Sequence, residues 1–397
     1  MAMRDRAGIG RAWWLMLAWL LATCAAATPR IGLMTMQPGT IFWERFGHDA
    51  IVVDNPARGA PVSYNFGFFD PTEPGFAGRY ARGDMQYQLV ALPLADDLQT
   101  YRDEGRGVRI QWLDLDPSQA DALEARLERN ALPENARYHY DPFRDNCTTR
   151  VRDAIDGVLG GRLHDALQSG SNGESYRSES LRLASPTGWM WLLFEIGLGP
   201  DTNPALSHWD DAFVPQRLAD SVATVTRTDG RPLVSHAEEL VPHRLGPPAE
   251  LRVLPVWGCL AVGLLVALAI LVVGRRHPRA VAAVAVPFWL MCGTIGAVLL
   301  YAWLGTEHWA LWRNANLLLF NPLCLLLAWP GLRRLAGRPF GGAARWMAAA
   351  VAAFAVAAVF VLWLLRLQPN GPWLALLVPL HLALAWLFAR RAALAAG

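Results

Sequence analysis

Between Tyr138 and Arg150 the chain runs Tyr-His-Tyr-Asp-Pro-Phe-Arg-Asp-Asn-Cys-Thr-Thr-Arg, and Cys147 in it is equipped for covalent chemistry. Asp145 or Asn146 can cap a helix. Val151, Ala154, Ile155 and Val158 then follow helical spacing until Gly160-Gly161 stops it. Cys147 is therefore expected in the first turn of a helix. There the free backbone N–H groups and the positive dipole end favour a thiolate, lowering a pKa that is ordinarily about 8.5. The same N–H groups can hold the oxyanion of a tetrahedral intermediate. The competing reading is a small buried hydrophobe, a frequent fate of free cysteines. Position matters here: of five cysteines, Cys24 lies in an N-terminal apolar segment and Cys259, Cys292 and Cys324 in the C-terminal apolar half. Cys147 is alone between them, so it has no intradomain disulfide partner.

A nucleophilic thiol needs a base. Among His48, His139, His164, His208, His236 and His243, His48 is the best placed, at the start of an apolar strand after Phe46-Gly47. A sheet packed on a helix N-terminus commonly holds an imidazole against a thiol, although a lone strand histidine is more often structural. His139 is near Cys147 in sequence, but an irregular separation promises no geometry. The orienting third group would be Asn65, with Tyr64 as its rival, because strand register cannot be read here. Asn146 or Tyr64 could assist the oxyanion, and Arg144 is a further candidate for substrate binding. Other chemistries find no residues. There is no HExxH, CxxC or His pair at ligand spacing, no G-x-S-x-G and no glycine-rich phosphate loop. No metal or cofactor is called for. The chain has no lysine, which excludes Schiff bases, and its net charge of +2 gives no reason to expect nucleic acid.

The elements that must position these residues belong to a mixed α+β region from about Ile31 to His243. Residues 46–53 and 62–68 read as a hairpin across an Asp-Asn-Pro turn, with further strands at 87–92 and 108–115. Asp116-Pro117-Ser118 caps a helix whose apolar face is Ala120, Leu123 and Leu127. The apolar run from Gly188 to Gly199 is too short to span a bilayer; it reads as core, with an interfacial lip over a membrane as the alternative. Residues 222–251 read as an irregular linker.

Composition then changes. Beyond Leu254 the chain is mostly Leu, Ala, Val and Trp, with expected spans at 254–274, 280–304, 316–330, 346–365 and 373–389. Most approach the ~20 apolar residues a helix needs to cross a bilayer. Arg275, Arg276 and Arg279, then Arg333, Arg334, Arg338 and Arg345, then Arg390 and Arg391 all fall on one side of a five-span count. The positive-inside rule makes that side cytoplasmic. Residues 1–27 read as a signal sequence, with Arg4, Arg6 and Arg11 before an apolar stretch and Ala25-Ala26-Ala27 at the cleavage site. Leu21 to Cys24 resembles a lipobox only loosely, because Thr precedes the cysteine. The expected organisation is thus a signal sequence (1–27), an exported domain with its linker (28–253) and a five-helix membrane domain (254–397). The loop from Thr306 to Asn321 carries His308, Asn314, Asn316 and Asn321 at the exported face. These serve either as caps and interhelical hydrogen bonds or as a site for a lipid headgroup or substrate.

At Phe46-Gly47-His48, Tyr64-Asn65-Phe66-Gly67 and Tyr140 through Asn146-Cys147-Thr148-Thr149-Arg150 the sequence resembles the Lnb family of bacterial lipoprotein N-acyltransferases. His308, Asn314, Asn316, Leu317, Leu318 and Asn321-Pro322-Leu323 look like that family's loop between spans, so the resemblance touches most of the chain. The start of the thiol helix also looks like that of the lecithin:retinol acyltransferase group. The resemblance implies a papain-like exported domain, related to NlpC-type peptidases in permuted order, followed by an all-α bundle of about five transmembrane helices. It implies inner-membrane residence, with the N-terminal domain periplasmic and the C-terminus cytoplasmic. It further implies a thiol acyltransferase with Cys147, His48 and Asn65 as its machinery, and membrane phospholipids and lipoprotein N-termini as its partners. A phospholipase or cell-wall peptidase using the same dyad, and a non-catalytic envelope assembly factor, are the rival readings. Nothing in the sequence sets an oligomeric state.

Overall fold

A computed structural model describes residues 28–365 and 367–390. The expected signal sequence, Cys24 included, and Arg391 lie outside the described residues. An antiparallel sheet of seven strands organises the N-terminal region: β1 (Arg30–Met36), β2 (His48–Asp54), β3 (Val62–Phe68), β4 (Gln86–Pro93), β5 (Val108–Leu113), β6 (Arg137–His139) and β7 (Val234–Val241). Their order across the sheet is β6-β4-β3-β2-β1-β5-β7. Ala50 to Val53 in β2 are all buried because both sheet faces are covered, which is why this strand reads as continuously apolar.

The helices of seven residues or more in this region are α1 (Phe76–Arg82), α2 (Leu94–Glu104), α3 (Pro117–Asn130), α4 (Cys147–Val158), α5 (Tyr176–Ala184), α6 (Gly188–Gly197) and α7 (Pro215–Thr224). On one sheet face Val151, Ala154 and Ile155 of α4 pack with Leu33, Ile51, Tyr64 and Phe66. On the other, Leu98 and Tyr101 of α2 pack with Met34, Met36, Ala50 and Val52. One expectation for this region needs correction, and one strand is new. The stretch read as linker contains β7, an edge strand paired with β5 whose exposed Glu238 and Glu239 disguise it. The strand β1, which pairs with both β2 and β5, had not been anticipated.

The C-terminal region is helical: α8 (Val256–Arg276), α9 (Pro278–Gly305), α10 (Cys324–Leu335), α11 (Gly342–Ala358) continued by a π-helical turn, and α12 (Gly371–Arg390). Four of these, all but α10, are long and apolar enough to cross a membrane. The expected third span, 316–330, is corrected: it is helical only from Cys324, after 3₁₀ turns at Trp309–Leu311 and Ala315–Leu318. With 12 residues, α10 is about 18 Å long against a hydrocarbon core of about 30 Å. Irregular backbone at such depth must be enclosed by protein. Asn316, Leu319 and Phe320 are indeed fully buried. Gly296 of α9 makes this possible, since a Cβ there would lie 2.0 Å from the Phe320 carbonyl oxygen.

Candidate active site

Asn146, the N-cap of α4, fixes where the thiol stands. Its Oδ1 accepts from the Thr149 N–H (2.9 Å), while its own N–H donates to Thr149 Oγ1 (2.8 Å). Its Nδ2 donates to the carbonyls of Pro142 and Phe213, each at 2.9 Å. All of its polar atoms are committed, so Asn146 clamps the helix start and has no donor to offer an oxyanion. The N–H groups of Cys147 and Thr148, by contrast, have no acceptor within the helix. Upstream, Asp141 and Asp145 form an antiparallel bridge, and Arg150 pairs with Asp145 while lying over the Tyr138 ring at 4.1 Å.

His48 comes from the other sheet face. Its Nε2 donates to Asn65 Oδ1 (3.0 Å), leaving Nδ1 for the sulfur. The β2–β3 register explains the choice between the two sequence candidates. Asn65 stands opposite Ala50 and faces α2, whereas Tyr64, opposite Ile51, faces α3 and lies near Glu124, Glu128 and Arg58. Tyr64 is therefore directed away from the thiol. Behind Asn65 sits a residue the sequence did not reveal. Asp97 of α2 is buried, and its Oδ2 accepts from Asn65 Nδ2 (3.0 Å) and Ser63 Oγ (2.6 Å). A carboxylate that engages the amide NH2 obliges the amide oxygen to face His48. The imidazole proton is thereby held on Nε2, and Nδ1 is presented as a base.

The thiol and imidazole tune one another. Burial pushes the Cys147 thiol up, but the His48 charge and hydrogen bond, the Asp49 backbone N–H and the Thr148 hydroxyl outweigh it, bringing the value down to about 7. Burial would likewise lower His48, yet the thiolate's charge and hydrogen bond win and raise it. Under them Asp49 is fully buried, with Thr35 donating to its Oδ1 at 2.7 Å. Burial pushes its carboxyl well above the usual range, which disfavours a second negative charge beneath the sulfur.

Space above the thiol comes from Gly67, at a bulge in the β3–β4 pairing. Its φ is +93°, and a Cβ there would lie 3.5 Å from Cys147 Cβ and 3.7 Å from the Tyr138 hydroxyl. That hydroxyl is buried without a hydrogen-bond partner. Burial, with the thiolate adding to it, holds the phenol protonated. A glycine in a strand was the available sequence signal for the bulge; Tyr138 gave none beyond its nearness to Cys147.

The remaining expected site residues fall into two groups. Arg144 is exposed beside the site, its guanidinium 3.7 Å from the ring centre of Trp309, which belongs to the loop between α9 and α10. Trp309 also donates to Asp141 Oδ2 (2.6 Å) and makes an edge contact with Phe143. His308 Nε2 lies 2.9 Å from the Tyr80 carbonyl oxygen. Asn314, Asn316 and Asn321 are not brought to the thiol. Asn314 and Asn316 donate to the Ile196 carbonyl at the end of α6 (2.8 and 2.9 Å), and Asn321 caps the turn into α10 through the Leu323 N–H. Their buried amides are used in holding backbone.

A thiol at a helix start, an imidazole on the adjoining sheet and an amide behind it, joined to apolar helices of membrane length, define a papain-like membrane protein. The profile described as the Lnb N-terminal periplasmic domain matches residues 16–183, and that described as the Lnb transmembrane domain matches residues 251–389. Between them they take in most of the chain, which belongs to the Lnb family and is a membrane protein with a periplasmic N-terminal domain. No curated protein and no solved structure matches it significantly.

Proposed function

We propose that this protein is a thiol acyltransferase that moves a fatty acyl chain from a phospholipid, through a Cys147 thioester, to the N-terminal amine of bacterial lipoproteins. The observation that carries the reading is where the thiol lies. The loop that leads into Cys147 is seated on Trp309 of the membrane region, so the sulfur stands where lipidic substrates arrive without lifting acyl chains into water. The Cys147 thiolate attacks the ester carbonyl of the phospholipid. The backbone N–H of Cys147 and the Tyr138 hydroxyl hold the oxyanion. His48 then gives its proton to the departing lysophospholipid oxygen, leaving the thioester. An α-amine with a pKa near 8 retains a usable neutral fraction. It attacks the thioester, His48 accepts its proton, and the amide forms as the thiolate leaves. Asn65 and Asp97 hold the imidazole throughout. The arginine-bearing loops after α8 and α10 support a cytoplasmic C-terminus.

In cells lacking any other such enzyme, Cys147→Ser and His48→Ala should each abolish lipoprotein N-acylation at unchanged protein level, read by mass spectrometry of lipoprotein N-termini. A fatty acyl mass should be found on Cys147 of the natural chain. Normal acylation by either variant would refute the proposal.

A further inference from the structure

Helix α6 lies between the two stretches matched by the family profiles, and it has two apolar faces. Met190 and Trp191 are buried with Leu181 and Ala184, while Trp189, Leu192 and Leu193 are 59%, 40% and 53% exposed. Those three positions, i, i+3 and i+4, form one stripe. What covers it follows from the tethers at the two ends of the helix. Just before α6, the Ser185 hydroxyl accepts from the Arg252 N–H (2.8 Å), and Leu254 packs against the same cluster, directly before α8 begins at Val256. After its last turn, Asn314 takes the Gly197 carbonyl (2.7 Å) and Gln368 the Leu198 carbonyl (3.0 Å), shortly before α12 begins at Gly371. Both ends of α6 are therefore fixed to points where the chain passes into the membrane helices. At the same ends of the bundle Trp257 of α8 and Trp303 of α9 are 81% and 40% exposed, and tryptophan is enriched at that depth of a bilayer. A helix of 10 residues is about 15 Å long, so it lies along such an interface instead of crossing it.

The stripe is continuous with the catalytic strand. Phe42 stacks on Trp189 (6.1 Å) and Phe194 (6.3 Å), and the next residue, Trp43, is 62% exposed with its ring edge-on to Phe69 at 6.1 Å. Five residues after Trp43 the chain reaches His48, and two residues before Phe69 it passes Gly67 beside Cys147. We propose that α6 lies in the headgroup–acyl boundary of the periplasmic leaflet, and that Phe42, Trp43 and Phe69 guide an acyl chain from its exposed stripe to Cys147. The guiding role rests on the acyl-transfer reading of the site; the depth of α6 does not.

Two measurements separate these. Leu193→Cys and Asp121→Cys, each in a chain whose own cysteines are replaced by alanine, are spin-labelled in nanodiscs of phosphatidylethanolamine and phosphatidylglycerol. The ratio of oxygen to water-soluble nickel-chelate accessibility should be several-fold higher at 193 than at 121; equal ratios overturn the placement of α6. In the chain with Cys147 intact, Leu192→Gln with Leu193→Gln should slow acylation of Cys147 by bilayer phospholipid at least tenfold, with acylation by soluble p-nitrophenyl butyrate unchanged. Equal phospholipid rates in variant and natural chain overturn the guiding role. If neither donor acylates the natural chain, the acyl-transfer reading itself fails and the spin labels still decide the depth of α6. Loss of both reactions in the double variant alone marks a folding defect; Trp43→Gln, at an exposed position, then takes its place, and an unchanged phospholipid rate in it overturns the guiding role.

Discussion

The reactivity of the sulfur is set by opposed forces, and they can be pulled apart. Burial favours the thiol and His48 favours the thiolate, with the balance near 7. Alkylation of Cys147 by iodoacetamide should therefore rise with pH about a midpoint near 7 in the natural chain. In His48→Ala, burial is opposed only by the Asp49 N–H and Thr148, so the midpoint should move up, to or beyond the ~8.5 of an ordinary cysteine. Asp97→Ala should move it in the same direction by less, because the freed Asn65 amide can turn its NH2 toward the imidazole. Asp97→Asn, which keeps an acceptor for Asn65, should restore most of the shift. An unchanged profile in Asp97→Ala would reduce Asp97 to a packing residue. Cys147 and His48 could be singled out because each sits at a readable place, a helix start and a strand start, whereas Asn65 could be named only beside its rival Tyr64. Asp97 could not be singled out, since Asp96-Asp97 in an amphipathic helix resembles a solvated face. The N-cap role of Asn146 was readable, but where its amide and Tyr64 point was not, because that depends on cap geometry and register, which one sequence does not disclose.

At the level of elements, the thiol helix packs on the sheet face beside β3, which bulges at Gly67 next to Cys147. A side chain there would force a left-handed residue, at about 1 to 2 kcal/mol, and would fill the space beside Cys147 Cβ and the Tyr138 hydroxyl. Gly67→Ala should lower Tm by only a few degrees in a domain of this size. Acylation of Cys147 should fall at least tenfold, since about 1.4 kcal/mol on the barrier is enough. A large loss of Tm with proportionate loss of activity would instead make Gly67 a folding residue. The strands around the site were readable from buried apolar runs. The edge strand β7 was not, because it pairs on one side and carries charge. The truncated third span was also hidden: a window of apolar residues cannot show that Asn314 and Asn316 have taken carbonyls of α6 and left the backbone after them irregular.

For the whole molecule the question is whether the periplasmic sheet domain and the membrane helices act as one body. Several attachments argue that they do, among them Trp309 docked on the loop before Cys147, His308 on the Tyr80 carbonyl, Asn314 with Asn316 and Gln368 on the end of α6, and Arg252 with Leu254 before its start. Only the first touches the site. Trp309 fills a cluster with Phe143, Tyr176 and Arg144 and supplies a donor to Asp141, whose other oxygen accepts from the Phe143 and Arg144 N–H groups. Truncating a packed tryptophan costs about 3 to 5 kcal/mol, and here the cost falls on the segment that positions the cap of α4. Trp309→Ala should therefore speed amide exchange across residues 140–147 by orders of magnitude while β5, on the far side of the sheet, exchanges as before. Acyl transfer should drop with it, and Trp309→Phe, which keeps a smaller aromatic ring and loses the donor, should fall between. If exchange in 140–147 is unchanged in Trp309→Ala, the membrane loop is a bystander. The thiol helix would then be ordered by Asn146 and the Asp141–Asp145 bridge alone.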